Sequence, residues 1–235
     1  MQRLYTNNKI ILYKNIKLHE NNQHYLSNVL KIKQHSKIII FNKCNGEWIA
    51  LVTIKKNIYI KPYKKLNNVN CNEYKFALVF SLLKNQNTFF IIQKICELNV
   101  SEIFPIITTK TAIKKINIKK IKKIIKESCE QSNRINIPNI SAPSTIKEIV
   151  KNLSCYLIVF CHKNSYSLCT LIKKIQYNKK IAFMIGPENG FSNTELKFLA
   201  LQKNIININL CDTNLRSETA AVSASFLYHF LTKQH

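Results

Sequence analysis

From Lys75 onward the sequence alternates between two hydrophobic periods, and this alternation limits the fold more than any other feature. Apolar runs suited to buried strands occur at Phe76–Leu83, Glu102–Ile107, Tyr156–Cys161, Ile181–Ile185 and Ile205–Leu210. Helical periods lie among them at 88–98, 117–132, 145–153, 165–176, 193–203 and 218–232. Strands apolar on both faces need crossover helices to cover them. The pattern therefore predicts an α/β fold with a mostly parallel sheet and helices on both faces.

The region before this reads differently. Strand candidates at Lys37–Asn42, Glu47–Lys55 and Asn57–Lys61 surround an Asn45-Gly46 hairpin turn, and Glu20 to Leu30 suits one short helix. A small β-barrel fits this set. The stretch from Lys64 to Glu73 is polar and carries neither period. It divides the chain into domains of 1–70 and 71–235.

Lysine and arginine total 36 against 12 acidic residues, a formal charge of +24. This balance disfavours a hydrolase with a carboxylate-lined cleft and favours a polyanionic partner. The chain is also crowded with Lys, Asn and Ile, as A+T-rich codon drift produces, so both origins of the charge stay open. A surface so basic attracts nucleic acid in either case. The helical period at 117–132 shows the same ambiguity. Ile118, Ile121, Ile125 and Cys129 form one stripe, while Lys119, Lys120, Lys122, Lys123 and Lys126 fall mainly on the other side. That side reads as a solvated face or as a phosphate-contacting one.

None of the 8 cysteines forms a C-x-x-C pair, and His162 beside Cys161 has no second ligand at zinc spacing. No metal is expected. The start, Met1-Gln-Arg-Leu-Tyr, does not read as a signal peptide, and no apolar run approaches the ~18 residues of a membrane span. The expectation is a reduced, cytoplasmic protein with free thiols and no membrane partner.

In so biased a composition the scarce residues are informative. There are 3 glycines, and Gly186 and Gly190 share one octet, Ile185-Gly-Pro-Glu-Asn-Gly-Phe-Ser192. It follows an apolar strand and precedes a helix opened by Ser192-x-x-Glu195, a capping box. A strand, a Gly/Pro turn and a capped helix put free backbone groups at the carboxyl edge of a parallel sheet, where ligands bind. Arginine is as rare: Arg3, Arg134 and Arg216, against 33 lysines. Lysine replaces a point charge but not a planar fork that grips a carboxylate, phosphate or base edge at two points. Arg134 ends Cys129-Glu-Gln-Ser-Asn-Arg134, and Arg216 lies in Leu215-Arg-Ser-Glu-Thr-Ala220 at the start of the last helix. There Ser217 suits an N-cap and Glu218 the positive helix end, a compact site for an anion or polar ligand. The sequence has no P-loop, no G-x-G-x-x-G, no G-x-S-x-G elbow and no H-E-x-x-H.

Five strings in this order span nearly the whole chain: Arg3-Leu-Tyr, Ile92-Gln-Lys-Ile-Cys-Glu-Leu-Asn-Val100, Cys129-Glu-Gln-Ser-Asn-Arg134, the glycine octet and Leu215-Arg-Ser-Glu-Thr-Ala220. Together they resemble the bacterial small-subunit rRNA uridine-N3 methyltransferases of the knotted SPOUT superfamily. The resemblance implies a PUA-like β-barrel for RNA, a C-terminal trefoil-knotted methyltransferase domain, a homodimer and S-adenosylmethionine as methyl donor. The implied reaction is methylation of uridine N3 in small-subunit (16S) ribosomal RNA. Methylation at another position, such as ribose 2′-O or another base atom, and RNA binding by a decayed site are the alternatives.

Carried onto this chain, the resemblance implies that Glu218 orients or deprotonates the base and that Arg216 holds phosphate or a uracil oxygen. Glu130 would orient Arg134, which places the RNA with Arg3, Lys119 and Lys123. Backbone near His162, Gly186, Gly190, Leu210 and Leu215 would hold the cofactor. Asn99 and Asn189 stand where the family usually has Gly, a change that left-handed backbone tolerates. The family's Leu-Gly-x-Arg is Leu210-Cys-Asp-Thr213 here, so Cys211 falls where Gly would supply positive φ and no arginine stands at 213.

Overall fold

The computed structural model describes residues 1–67, 75–166 and 180–232. They group into two units, one of Met1–Cys71 with Cys129–Ile137 and the other of Asn72–Ser128 with Pro138–His235. The sequence boundary at 70 does not anticipate the second segment of the first unit, because the contacts that place it join residues far apart in the chain.

In the first unit, β1 (Arg3–Tyr5), β2 (Ile16–Lys17), β3 (Lys37–Asn42), β4 (Gly46–Ile54) and β5 (Ile58–Asn67) form a sheet in the order β1-β3-β4-β5-β2. Ile38 and Ile40 on β3, Ala50 and Val52 on β4 and Ile60 on β5 are fully buried, the period-two face that the sequence displays. Gly46 takes φ 77° at the turn into β4, a left-handed conformation that glycine adopts without strain. The single helix expected at 20–30 is instead α1 (Glu20–His24) followed by a π-helical turn, Tyr25–Val29. The wider turn closes with the Leu30 N–H donating to Tyr25 O at 3.0 Å, and it seats Leu26 in the core.

The second unit follows the predicted alternation: β6 (Lys75–Ser81), α2 (Asn85–Glu97), β7 (Glu102–Ile107), α3 (Ile118–Gln131, whose last turn groups with the first unit), β8 (Asn139–Ile140), β9 (Ser144–Thr145), α4 (Ile146–Asn152), β10 (Leu157–Tyr166), β11 (Lys180–Ile185), α5 (Asn193–Ala200), β12 (Ile205–Ile208) and α6 (Ser217–Thr232). All pairings are parallel, in the order β12-β10-β11-β6-β7-β8 with β9 also on β7. The late strand β11 thus lies between β10 and β6, both earlier in the chain. On one face Ala77, Val79 and Met184 pack with Ile149 and Val150 of α4 and Leu199 of α5. On the other, Phe76 stacks on Tyr228 of α6 with ring centroids 4.5 Å apart. The helical period at 165–176 lies outside the described residues except for its first two, which end β10. Among the described residues no helix is long and apolar enough to cross a membrane.

Candidate functional site

Two strands of the second unit, β11 and β12, end level on either side of β10, which runs on to Tyr166. Cys161 of β10 pairs with Ile185 of β11 on one side and with Ile208 of β12 on the other. His162 of β10, the glycine octet after β11 and Asn209–Arg216 after β12 lie at this edge. Cys161, His162, Leu210, Leu215 and Ala220 are among the residues lining a cleft of about 130 Å³ there.

The octet is rigid for identifiable reasons. A Cβ on Gly186 would lie 2.5 Å from the Phe191 ring, so any side chain there would force the ring to move. Gly190 has φ +65° and closes a turn by donating its N–H to Pro187 O at 2.9 Å. Ser192 and Glu195 form the expected capping box. The other Glu195 oxygen accepts from the Thr109 N–H at 2.8 Å and the Thr109 hydroxyl at 3.1 Å. Burial pulls the Glu195 carboxyl upward, but hydrogen bonds from Ser192 and Thr109 outweigh it and hold the group below its usual range. Lys110 Nζ donates to Asn189 O at 3.1 Å.

The start of α6 differs from its sequence reading. Ser217 is not the N-cap: the Ala220 N–H bonds to Arg216 O at 2.9 Å, which makes Arg216 the capping position. The Ser217 hydroxyl instead donates to Gly186 O at 2.8 Å. Arg216 is exposed. In the first turn of the helix, Glu218 Oε1 accepts from Asn87 Nδ2 at 3.4 Å, while Oε2 is buried with no hydrogen-bond partner among the described residues. A buried carboxylate oxygen left in that state is costly and marks a place where a donor is missing. Asn87 and Thr109 escape sequence reasoning, since neither belongs to a motif.

The departures in the loop do not strain the backbone. Asn99 adopts φ 56°, as its substitution for glycine allows, whereas neither Asn189 nor Cys211 has a positive φ. The concern that Cys211 would have to do so does not apply. Cys211 is exposed, and its Sγ lies 3.3 Å from Thr213 Oγ1. Hydrogen bonds from the Thr213 hydroxyl and backbone pull its thiol below the ordinary value, while burial pushes Cys161 well above it.

Other expected RNA contacts sit elsewhere. Arg3 is only 6% exposed; it pairs with Glu47 at 2.6 Å and donates to Cys129 O at 3.1 Å and Glu130 O at 3.3 Å, with its guanidinium over the Phe41 ring. It thus caps the carboxyl end of α3 rather than facing solvent. Glu130 accepts the Tyr5 N–H at 2.8 Å and so ties that end to β1. Arg134 is buried, and its carbonyl receives Arg3 Nη2. Lys119 and Lys123 are exposed on α3, with Lys123 3.8 Å from Glu127. Their helix buries Ile121, Ile125 and Cys129 on the other side.

A family model for the RNA methyltransferase domain matches residues 70–228. The ribosomal RNA small subunit methyltransferase E of Buchnera aphidicola from Acyrthosiphon pisum is 31% identical over 232 residues, covering 94% of this chain and 90% of that one. The chain belongs to the ribosomal RNA small subunit methyltransferase E family. The methyltransferase E of Rickettsia conorii is 29% identical over 226 residues, covering 94% of this chain and 92% of that one. The methyltransferase E of Neisseria gonorrhoeae, solved with S-adenosyl methionine bound, superposes with a TM-score of 0.88 at 22% identity, covering 98% of each chain. A Legionella pneumophila protein solved in complex with the same cofactor gives 0.85 at 24% identity, covering 97% of this chain and 96% of that one. These two likenesses extend the methyltransferase E fold over both units.

Proposed function

We propose that the protein methylates N3 of a uridine in small-subunit (16S) ribosomal RNA, with S-adenosylmethionine as donor. The observation that carries this reading is the buried Glu218 Oε2, unpartnered among the described residues, beside a glycine turn clasped by Ser217 at the edge where β11 and β12 end on either side of β10. Backbone around Leu210, Leu215 and Gly186 would hold the cofactor, with Gly190 shaping the turn and His162 lining the cleft. When bound, S-adenosylmethionine supplies an electrophilic methyl group. The chain's own task is to align the uridine and accept its N3 proton, which is still in place at neutral pH. Glu218 is the acceptor in this reading, and Asn87 holds its other oxygen. Exposed Arg216 stabilises the negative charge that develops on a uracil oxygen or grips a phosphate. Glu130 acts indirectly here, by fixing the segment that carries Arg134, which is assigned to RNA placement with Lys119 and Lys123.

The placement of β11 between β10 and β6 supports a SPOUT domain with a trefoil knot over 71–235. The five-stranded sheet supports a PUA-like barrel over 1–70. An apolar groove of about 540 Å³ along α6 includes Leu98, Leu210, Val222 and Leu227, with Phe226 61% and Phe230 52% exposed. Large apolar side chains gathered on one helix face favour a partner, and a second copy of the chain is the occupant assigned. The place of action is the cytoplasm.

The test is to map methylated uridines in ribosomal RNA from cells with and without the gene, and to repeat the reaction with purified protein. One N3-methyluridine in the small subunit should disappear with the gene and return with it, but not with Glu218→Gln. Methylation of a ribose instead, or an unchanged map, would overturn the reading.

A further inference from the structure

We propose that a basic cleft at the opposite end of the sheet, between α4 and the turn after α5, is a second RNA-binding site that takes the phosphodiester backbone of single-stranded RNA. The cleft encloses about 840 Å³ and is lined by Lys147, Lys151, Ser154, Leu201, Gln202 and Lys203, among others. It sits at the amino ends of β10 and β12, where the Ile158 N–H donates to Asn204 O at 2.9 Å. From Ile158 to Cys161, three residues of strand separate it from the glycine-turn edge, roughly 10 Å at the strand rise. It is therefore distinct from the site described above, yet close enough for one RNA strand to span both.

The charge of the cleft is uncompensated by construction. Lys147 and Lys151 are four residues apart on α4, so like charges share one helix face, an arrangement that is unfavourable without a counter-charge. Lys203 adds a third from the turn after α5. The acidic residues of these two helices, Glu148 and Glu195, are both engaged at helix starts. Glu148 Oε2 accepts the Thr145 N–H at 2.8 Å and hydroxyl at 2.9 Å, and Glu195 is held by Ser192 and Thr109. Among the described residues no ion pair includes Lys147, Lys151 or Lys203. Leu201, 81% exposed, supplies an apolar surface beside the cations. Cations that track phosphates next to an apolar contact for bases are the combination that holds single-stranded nucleic acid with little sequence preference.

The inference rests on reading the partner as RNA, but its test does not depend on methyl transfer. The intact protein is labelled with a lysine-reactive acyl ester, with and without a single-stranded RNA of about twelve nucleotides, and the modified lysines are located by mass spectrometry. Lys147, Lys151 and Lys203 should be protected by the RNA. The triple variant Lys147→Gln, Lys151→Gln, Lys203→Gln should bind the same RNA with a salt slope shallower by about 2, or 0.7 for each lost phosphate contact. Its S-adenosylmethionine affinity should stay unchanged. Unprotected lysines, or an unaltered salt dependence in a variant with unaltered melting, would overturn the proposal. Equal protection by an acidic peptide of matched charge would overturn the assignment to RNA. If the uridine map failed while protection persisted, the methylation reading alone would fall.

Discussion

The Ser217 hydroxyl donates to the Gly186 carbonyl at 2.8 Å, which joins the first turn of α6 to the turn after β11. The two segments that flank the cleft are thereby held as one piece, and Glu218, the next residue, inherits its position from that bond. Ser217→Ala removes it and leaves the carbonyl to find water, at a cost of about 1 kcal/mol. The variant should stay folded and bind S-adenosylmethionine several-fold more weakly by calorimetry. Unchanged affinity would mean that the clasp does not shape the cofactor site.

Gly186→Ala is the harsher change at the same place. A Cβ there meets the Phe191 ring, itself buried and edge-on to Phe160 with centroids 5.1 Å apart. Overpacking of this kind costs about 1–3 kcal/mol. The melting temperature should fall, and adding Phe191→Leu should restore part of the loss. A single variant as stable as the parent would show that the ring has room to move.

Arg216→Lys should slow methyl transfer by roughly 100- to 1000-fold, the range for loss of one preorganised transition-state contact. The residue is exposed at the helix start, so melting should hardly change. Lysine keeps the charge and loses only the planar fork, which makes the single-turnover rate a direct reading of that geometry. A rate within about threefold of the parent would remove Arg216 from the reaction.

Cys211 should be the faster-alkylated cysteine of the pair that lines the cleft. Thr213 lowers its thiol, so more thiolate is present at neutral pH, while burial raises Cys161 and keeps it protonated. Iodoacetamide labelling followed by peptide mapping should find Cys211 first. The rate of Thr213→Val should rise only at higher pH, because its thiol returns toward the ordinary value. Faster labelling of Cys161 would contradict the assignment.

Arg3→Met should destabilise the first unit by about 3–5 kcal/mol, since it leaves Glu47 buried and charged without its partner. Denaturant unfolding measures this directly. A loss below 1 kcal/mol would mean that the pair contributes little and that an RNA role for Arg3 again needs consideration.

The scarcity of arginine rightly flags Arg3 as a place where a fork is needed, but its partners are Glu47 and the carbonyls at the end of α3. Those partners lie 44 and 126 residues away, and no local pattern encodes them. The same holds for Ser217 with Gly186 and for Asn87 with Glu218, separated by 31 and 131 residues. The long strands and helices were legible because burial repeats along them. The short strands β1, β2, β8 and β9 carry two or three residues each, too few to show a period, and owe their existence to the neighbours they pair with. The glycine octet was legible for the opposite reason: a rare residue used twice within five positions reports a backbone requirement directly.

The place of β11 also governs how the chain can assemble. Until Lys180–Ile185 arrives, β6 and β10 have nothing between them, and each presents an unsatisfied strand edge. The sheet cannot zip up in the order in which the ribosome delivers it, so closure waits for a late, non-local pairing, a slow class of folding step. A chain that ends before residue 180 would carry the open edge of β6 and a lone β10, whose other neighbour β12 comes later still, and should associate edge to edge. For a protein read as acting on ribosomal RNA, useful product would then depend on synthesis running past Ile185.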